Sequence, residues 1–349
     1  MQSMSLVDGP FADDLFPISL TRSVADIRCG ILSLRQKWAY FFPPAGSGKD
    51  SVPVPANILP DPDLVKAIRL GGETEIQLAI SRASKLTNPL DILRQNDREI
   101  RLDFERVTHG RPSGPIPASN RVLLPEQIFI EEGAVVEHSI LNASGGPIYI
   151  GKNALVMEGS MIRGPFALNE HSVLKMGAKI YGASTVGPYS TVGGEVKNSV
   201  ILGYSSKAHD GYLGDSVIGE WCNLGGGSSN SNISNSAGPA KLWNPLKNSF
   251  TDSSLKAGLF MGDYSRSAIN TSFNTCTVVG VSVNVFGKGL TPAYLPSFSW
   301  GFDPAETYEF EKAIQHIAQW KKLKNKTLST AEINTLKDIF DRHDRQIRE

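Results

Sequence analysis

The chain has 349 residues with 35 Lys+Arg against 35 Asp+Glu, a zero formal charge that argues against a nucleic-acid binder, where basic residues are in clear excess. Hydrophobic residues make up 40% and charged residues 20%, which excludes a mainly disordered chain, and no run approaches the roughly 18 apolar residues of a membrane span. Cys29, Cys222 and Cys276 lack CxxC spacing, which excludes a disulfide scaffold or zinc knuckle and points to a reducing, cytoplasmic compartment.

In chain order, residues 1–120 come first and read as a small α/β domain. The opening MQSMSLVDGPFADDLFPISL has no basic n-region and carries Asp13 and Asp14, so it does not read as a secretory leader. Short helices are expected over 63–70 and 74–85, and the Pro-rich FFPPAGSGKDSVPVPANILP reads as loop or linker. Within it GSGKD (46–50) is Gly-rich but lacks P-loop spacing. In TRSVADIRCGILSLRQKW, Arg22, Arg28 and Lys37 are candidate phosphate ligands, with Arg22 and Arg28 the expected nucleotide-binding pair.

Residues 121–302 carry an internal repeat. Ile150, Val156, Ile162, Leu168, Leu174, Ile180, Val186 and Val192 stand six apart. Four positions after each come Ala154, Ser160, Phe166, Ser172, Ala178, Ser184, Ser190 and Val196, mostly small. Helices repeat near 3.6 residues and simple strands at two, so a period of six indicates a parallel β-helix whose aliphatic residues point inward. The frame is also met at Ile130 and Val136, at Leu202 and Ala208, at Ile218 and Leu224, and from Met261 through Ser267, Phe273 and Val279 to Val285. Residues 233–256 interrupt it and read as a polar loop at one corner. Residues 303–349 form a helical cap: Asp303-Pro304 signals a helix over 304–325, and the capping box Ser329 to Glu332 opens another over 330–347.

The stretch SSKAHDGYLGDSVIGEWCNLGGGSSNSN (205–232) resembles the acetyltransferase half of the bifunctional N-acetylglucosamine-1-phosphate uridyltransferase / glucosamine-1-phosphate N-acetyltransferase family. That family reads S-K-A-x-H, then Y-L-G-D, then N-I-G-A-G-T. The segments TRSVADIRCGI, GPFAL, GGEVKNSVILGYS, VIGEWCNLG, INTSFNT and PSFSWG are most similar to its Bacteroidetes-type variant, a sugar nucleotidyltransferase with a hexapeptide-repeat domain. The resemblance implies a left-handed parallel β-helix and a homotrimer with acetyl-CoA lying between subunits. It implies His209 as catalytic base, Lys197, Tyr212, Asn223 and Asn232 as substrate-binding residues, and Asp263 and Val281 at acetyl-CoA. The chain departs from the family at Asn232-Ile233, where the family has Asn-Tyr, and lacks an arginine before the Lys197 segment.

From the residues themselves, His209 follows the inward Ala208 and so should point outward, with Asp210 beside it to orient an imidazole acting as base. Lys197 and Lys207 suit a phosphate or are simply solvated. Asn223 and Asn232 suit substrate hydroxyls or corner backbone groups. Gly225, Gly226 and Gly227 suit a close ligand approach or a tight corner, the corner being favoured.

The expected activity is acyl-CoA-dependent N-acyl transfer to an amino-sugar phosphate, with acetyl-CoA as donor and no metal. The alternative is sugar-1-phosphate nucleotidyl transfer, which would bring Mg²⁺ to the N-terminal domain, with the solenoid serving trimerisation. A further alternative is a non-catalytic binding solenoid. A β-helix carbonic anhydrase ranks low, because no two of His138, His171 and His209 are close enough in sequence to share a coil.

Overall fold

The computed structural model describes residues 3–42, 51–252, 255–303 and 306–348. The period-six segment winds into a parallel β-solenoid. Its strands, two or three residues long, stack into a nine-stranded sheet, a five-stranded second sheet continued by further pairs, and a six-stranded third sheet. Ile150 stands over Leu168 and Leu168 over Val186 in the first sheet. Val156, Leu174 and Val192 stack in the second, and Ile162 and Ile180 in the third. All of these side chains are buried in one cluster. No strand this short is stable alone. Each coil covers the backbone edge of the one before, so stability is a sum over neighbours.

The regular frame ends at Val192. Val192 pairs with Lys207 and Ile180 with Val196, so the GGEV segment shortens a coil and shifts the column. The inward residues after the shift are Ile201 and Lys207, and the expected Leu202 and Ala208 are displaced from it. Leu202 instead faces outward, buried against the N-terminal region. Gly187 marks the tight stacking there: a Cβ on it would lie 1.0 Å from the Leu202 carbonyl oxygen.

The first 120 residues cover the outer face of the nine-stranded sheet. Leu15, Ile18, Val24, Ile27 and Leu90 are buried in one cluster with the outward Val200, Val217, Phe260 and Val278. Part of the expected linker is a strand, Ser51–Pro55, parallel to Ser3–Val7, because alternate Val and Pro place Val54 inward; GSGKD lies outside the described residues. Helix α1 spans Leu34–Ala39. The two expected helices form as α2 (Pro62–Leu70) and α3 (Glu73–Arg82). A longer helix, α4 (Pro89–Thr108), lies against the sheet.

The interruption at 233–256 holds an antiparallel hairpin, Lys241–Asn244 with Ser249–Asp252. It folds back onto the chain start: Leu242 joins the N-terminal core, Asn244 donates to the Asp13 carbonyl, and Lys247 pairs with Asp14. Helix α5 begins at Phe310 (Phe310–Lys322) rather than at 304, because Thr307 bridges to Ser299 and holds the chain extended. Pro304 and Ala305 of the expected N-cap signal lie outside the described residues. Helix α6 (Thr330–Arg348) opens on the expected box, Ser329 and Glu332 exchanging side-chain and backbone bonds. Both helices pack on the corner formed by Trp221, Tyr264, Val281 and Phe298.

Phe260 is fully buried between solenoid and N-terminal region. Phe260→Ala should therefore cost about 3–5 kcal/mol in denaturant unfolding. Ile269→Ala, at an exposed corner, should change stability by less than about 0.5 kcal/mol.

Candidate active site

His209 sits where the second sheet turns into the third, between Ser206–Lys207 and Tyr212–Gly214. It is exposed, as expected. The reason differs, because the inward residue before it is Lys207 and not Ala208. Lys207 occupies a position held by Val192 in the preceding coil. Its stem lies in the aliphatic column while its ammonium reaches out to donate to the His209 carbonyl at 2.5 Å. Burial pushes this ammonium down to about 8, against a smaller upward pull from Asp210. Lys207 thus ties down the backbone of the turn that carries the imidazole. On the other side the His209 ring lies over Gly226, where an added Cβ would stand 3.5 Å from it.

The glycine cluster is a corner, as the sequence favoured. Gly225 is pressed against the Ala268 backbone, and Gly227 has φ +74°, a conformation that costs glycine little. The task of satisfying corner backbone falls to Asn230, whose amide bonds both the N–H and the carbonyl of Gly214.

The outer face of the third sheet gathers three of the expected substrate residues. Tyr181, Lys197 and Gly214 are in register, as are Glu195 and Tyr212. The Tyr212 ring lies over Gly214, whose missing side chain makes the room. Asn232 donates to the Tyr212 hydroxyl at 3.0 Å and to Asp215 at 2.6 Å. Asp215 also accepts from Asn198 at 2.7 Å. Burial, with Asp215 behind it, pushes the Tyr212 hydroxyl up to about 12, so it stays protonated and can donate. Lys197 stands over the Tyr181 ring at 5.6 Å, and the Tyr181 hydroxyl donates to Glu195 at 2.6 Å. Sequence reasoning did not single out Tyr181, Glu195 or Asp215, although Asp215 closes the quoted Y-L-G-D run.

Asn223 is on the other side of the corner, facing outward on the second sheet between Ser206 and Arg266. The remaining expected residues lie elsewhere. Asp263 is buried and accepts from Arg22, from the Thr21 hydroxyl at 2.7 Å and from the Glu220 N–H at 2.8 Å. Arg22 also reaches Glu220 at 3.2 Å. Burial alone would lower the Arg22 pKa, but the Asp263 and Glu220 carboxylates hold it above its ordinary value. Arg22 and Asp263 therefore neutralise each other, and neither is a free charge for the nucleotide or acetyl-CoA expected of it. Arg28 donates to the Ile31 carbonyl and to Asn169. Lys37 is fully buried between Glu99 and Asp103, which leaves no path to a phosphate. Val281 is covered by α5 and α6. Among the described residues, no three His, Cys, Asp or Glu side chains are grouped to hold a metal ion, and no helix is long and apolar enough to cross a membrane.

The sequence pattern of the sugar nucleotidyl transferase family matches residues 4–52. Over 86 residues the chain is 36% identical to the bifunctional protein GlmU of Methanocaldococcus jannaschii, covering 25% of this chain. The match spans about a fifth (21%) of that relative. Among solved structures, the polysialic acid O-acetyltransferase OatWY aligns over 52% of this chain and 82% of its own, with 11% identity and a TM-score of 0.21. The chain thus bears a partial resemblance to the sugar nucleotidyl transferase family and to the bifunctional protein GlmU.

The lowered pKa of Lys207 has a measurable sign. Its folded value lies below the unfolded value of about 10.4, so between about pH 8 and 10 the unfolded chain binds more protons and stability rises with pH. Lys207→Met keeps an apolar side chain in the column and removes that rise, so the melting temperature of wild type should gain on that of the variant from pH 7 to pH 10. Parallel pH profiles for the two proteins would contradict the assignment.

Proposed function

We propose that this chain is an acyl-CoA-dependent N-acyltransferase acting on an amino-sugar phosphate, with His209 as general base. The observation that carries the reading is the placement of an exposed imidazole, on a turn fixed by Lys207, beside the bonded set Tyr212, Asn232 and Asp215 and near Lys197. In this reading Lys197 holds the phosphate, and Tyr212 and Asn232 orient the sugar. His209 takes a proton as the amine attacks the thioester carbonyl. The new C–N bond forms, backbone N–H groups stabilise the tetrahedral oxyanion, and the C–S bond then breaks, the proton passing to the departing CoA thiolate. Products are the N-acyl sugar phosphate and free CoA. The proposal includes a homotrimer of the closed cyclic kind, acetyl-CoA as donor, and a cytoplasmic setting.

The match at residues 4–52 favours a second reading for the N-terminal region, sugar-1-phosphate nucleotidyl transfer with the solenoid serving assembly. That chemistry uses a divalent cation to neutralise the nucleotide phosphates. Glu99 and Asp103, the carboxylates buried in this region, are both taken by Lys37 and do not fit such an ion, so no step is routed through it.

Incubation with amino-sugar phosphates and acetyl-CoA should release thiol, whereas sugar 1-phosphates with nucleoside triphosphates should release no pyrophosphate. His209→Ala should lower kcat by about 10² to 10⁴, and Lys197→Ala should chiefly raise the KM for the acceptor. Wild-type turnover in His209→Ala would sink the acyltransferase reading. Light scattering should give three times the chain mass; a monomer at micromolar concentration would refute the trimer.

A further inference from the structure

The second sheet carries an unbalanced charge. Arg266 faces outward from its strand, in register with Asn223 on one side and Asn284 on the other. The indole of Trp320, from α5, lies over its guanidinium at 5.0 Å. Its Nε and Nη2 are buried and donate to no residue, and no carboxylate comes within ion-pair distance of it among the described residues. The ionisable groups that act on it are Tyr308, Cys222 and Tyr264. Burial pushes all three above their ordinary values, so at neutral pH none carries a negative charge. A guanidinium does not escape by losing its proton. A largely buried cation with no carboxylate partner is costly, and the Trp320 ring offsets only part of that cost.

The two unused donors define the missing partner. Nε and Nη2 form one edge of the guanidinium, and two parallel N–H groups on that edge match two oxygens of a single carboxylate or phosphate. Asn223, whose side chain makes no hydrogen bond with the described residues, lies one strand away, roughly 4.8 Å along the sheet. We propose that Arg266 anchors an oxyanion subsite, walled by Asn223 and Trp320, that takes a two-oxygen anionic group (phosphate or carboxylate) of a small-molecule ligand. The subsite lies on the second sheet, across the His209 corner from Lys197 and Tyr212. It does not depend on acyl transfer.

The test is binding and melting with anions alone, using inorganic phosphate in one arm and acetate in the other, on the full chain. Wild type should bind one of the two by calorimetry, and that arm identifies the group. Arg266→Met should bind it at least tenfold more weakly, and without anion should melt at or above the wild-type temperature, since an unpaired charge has been removed. Arg266→Lys, which keeps the charge but loses the fork, should fall between the two and carries the comparison if the Met variant does not fold. Binding of neither anion by wild type, equal binding by wild type and Arg266→Met, or a lower melting temperature for Arg266→Met without anion would each overturn the proposal.

Discussion

Everything in this molecule depends on burying both faces of the nine-stranded sheet. Its inner face is the aliphatic column from Ile150 through Leu168 and Val186 to Ile201. Its outer face, with Val200, Val217, Phe260 and Val278, is closed by the N-terminal region. A parallel sheet buried on both sides reads as apolar at successive positions, and Val200-Ile201 and Val217-Ile218 do so. The solenoid is therefore the wall on which the first 120 residues fold. The ion pair of Arg22 with Asp263 and the pairing of Lys247 with Asp14 tie the two parts from both directions.

The covering of one face decides what the others can do. With the first sheet sealed and α5 and α6 against the corner of Trp221, Tyr264 and Phe298, the His209 corner stays exposed. The third sheet offers a polar, mutually bonded surface in Tyr181, Glu195, Lys197, Tyr212, Asp215 and Asn232. The second offers Asn223 and Arg266.

The period-six column was legible because every coil repeats the same steric demand, and the eight residues from Ile150 to Val192 all point inward. The frame after Val192 was not. A shortened coil leaves no mark on hydrophobicity when Leu202 is buried on the wrong side and a lysine takes an aliphatic place. Lys207 reads in sequence as a phosphate ligand or a solvated side chain, since only three-dimensional register puts its stem in the core. Helix α4 escaped notice because its inward positions include Asn96, Glu99 and Asp103, buried polar residues that weaken the apolar period and are matched by Lys37 and Gly30 far away in sequence. The KAHDG and YLGD runs mark in sequence the turn where His209 is exposed and the strand end where Tyr212 and Asp215 share Asn232. The pairing of Arg22 with Asp263 was not legible, because the two stand far apart in sequence and only the fold brings them together.

The most direct test is a crystal structure of the protein with glucosamine 1-phosphate. The account predicts the phosphate at Lys197, the sugar against Tyr212 and Asn232, and the amine within about 2.6–3.2 Å of the His209 ring or one water away from it. A sugar phosphate bound elsewhere, with its amine out of reach of His209, would contradict it.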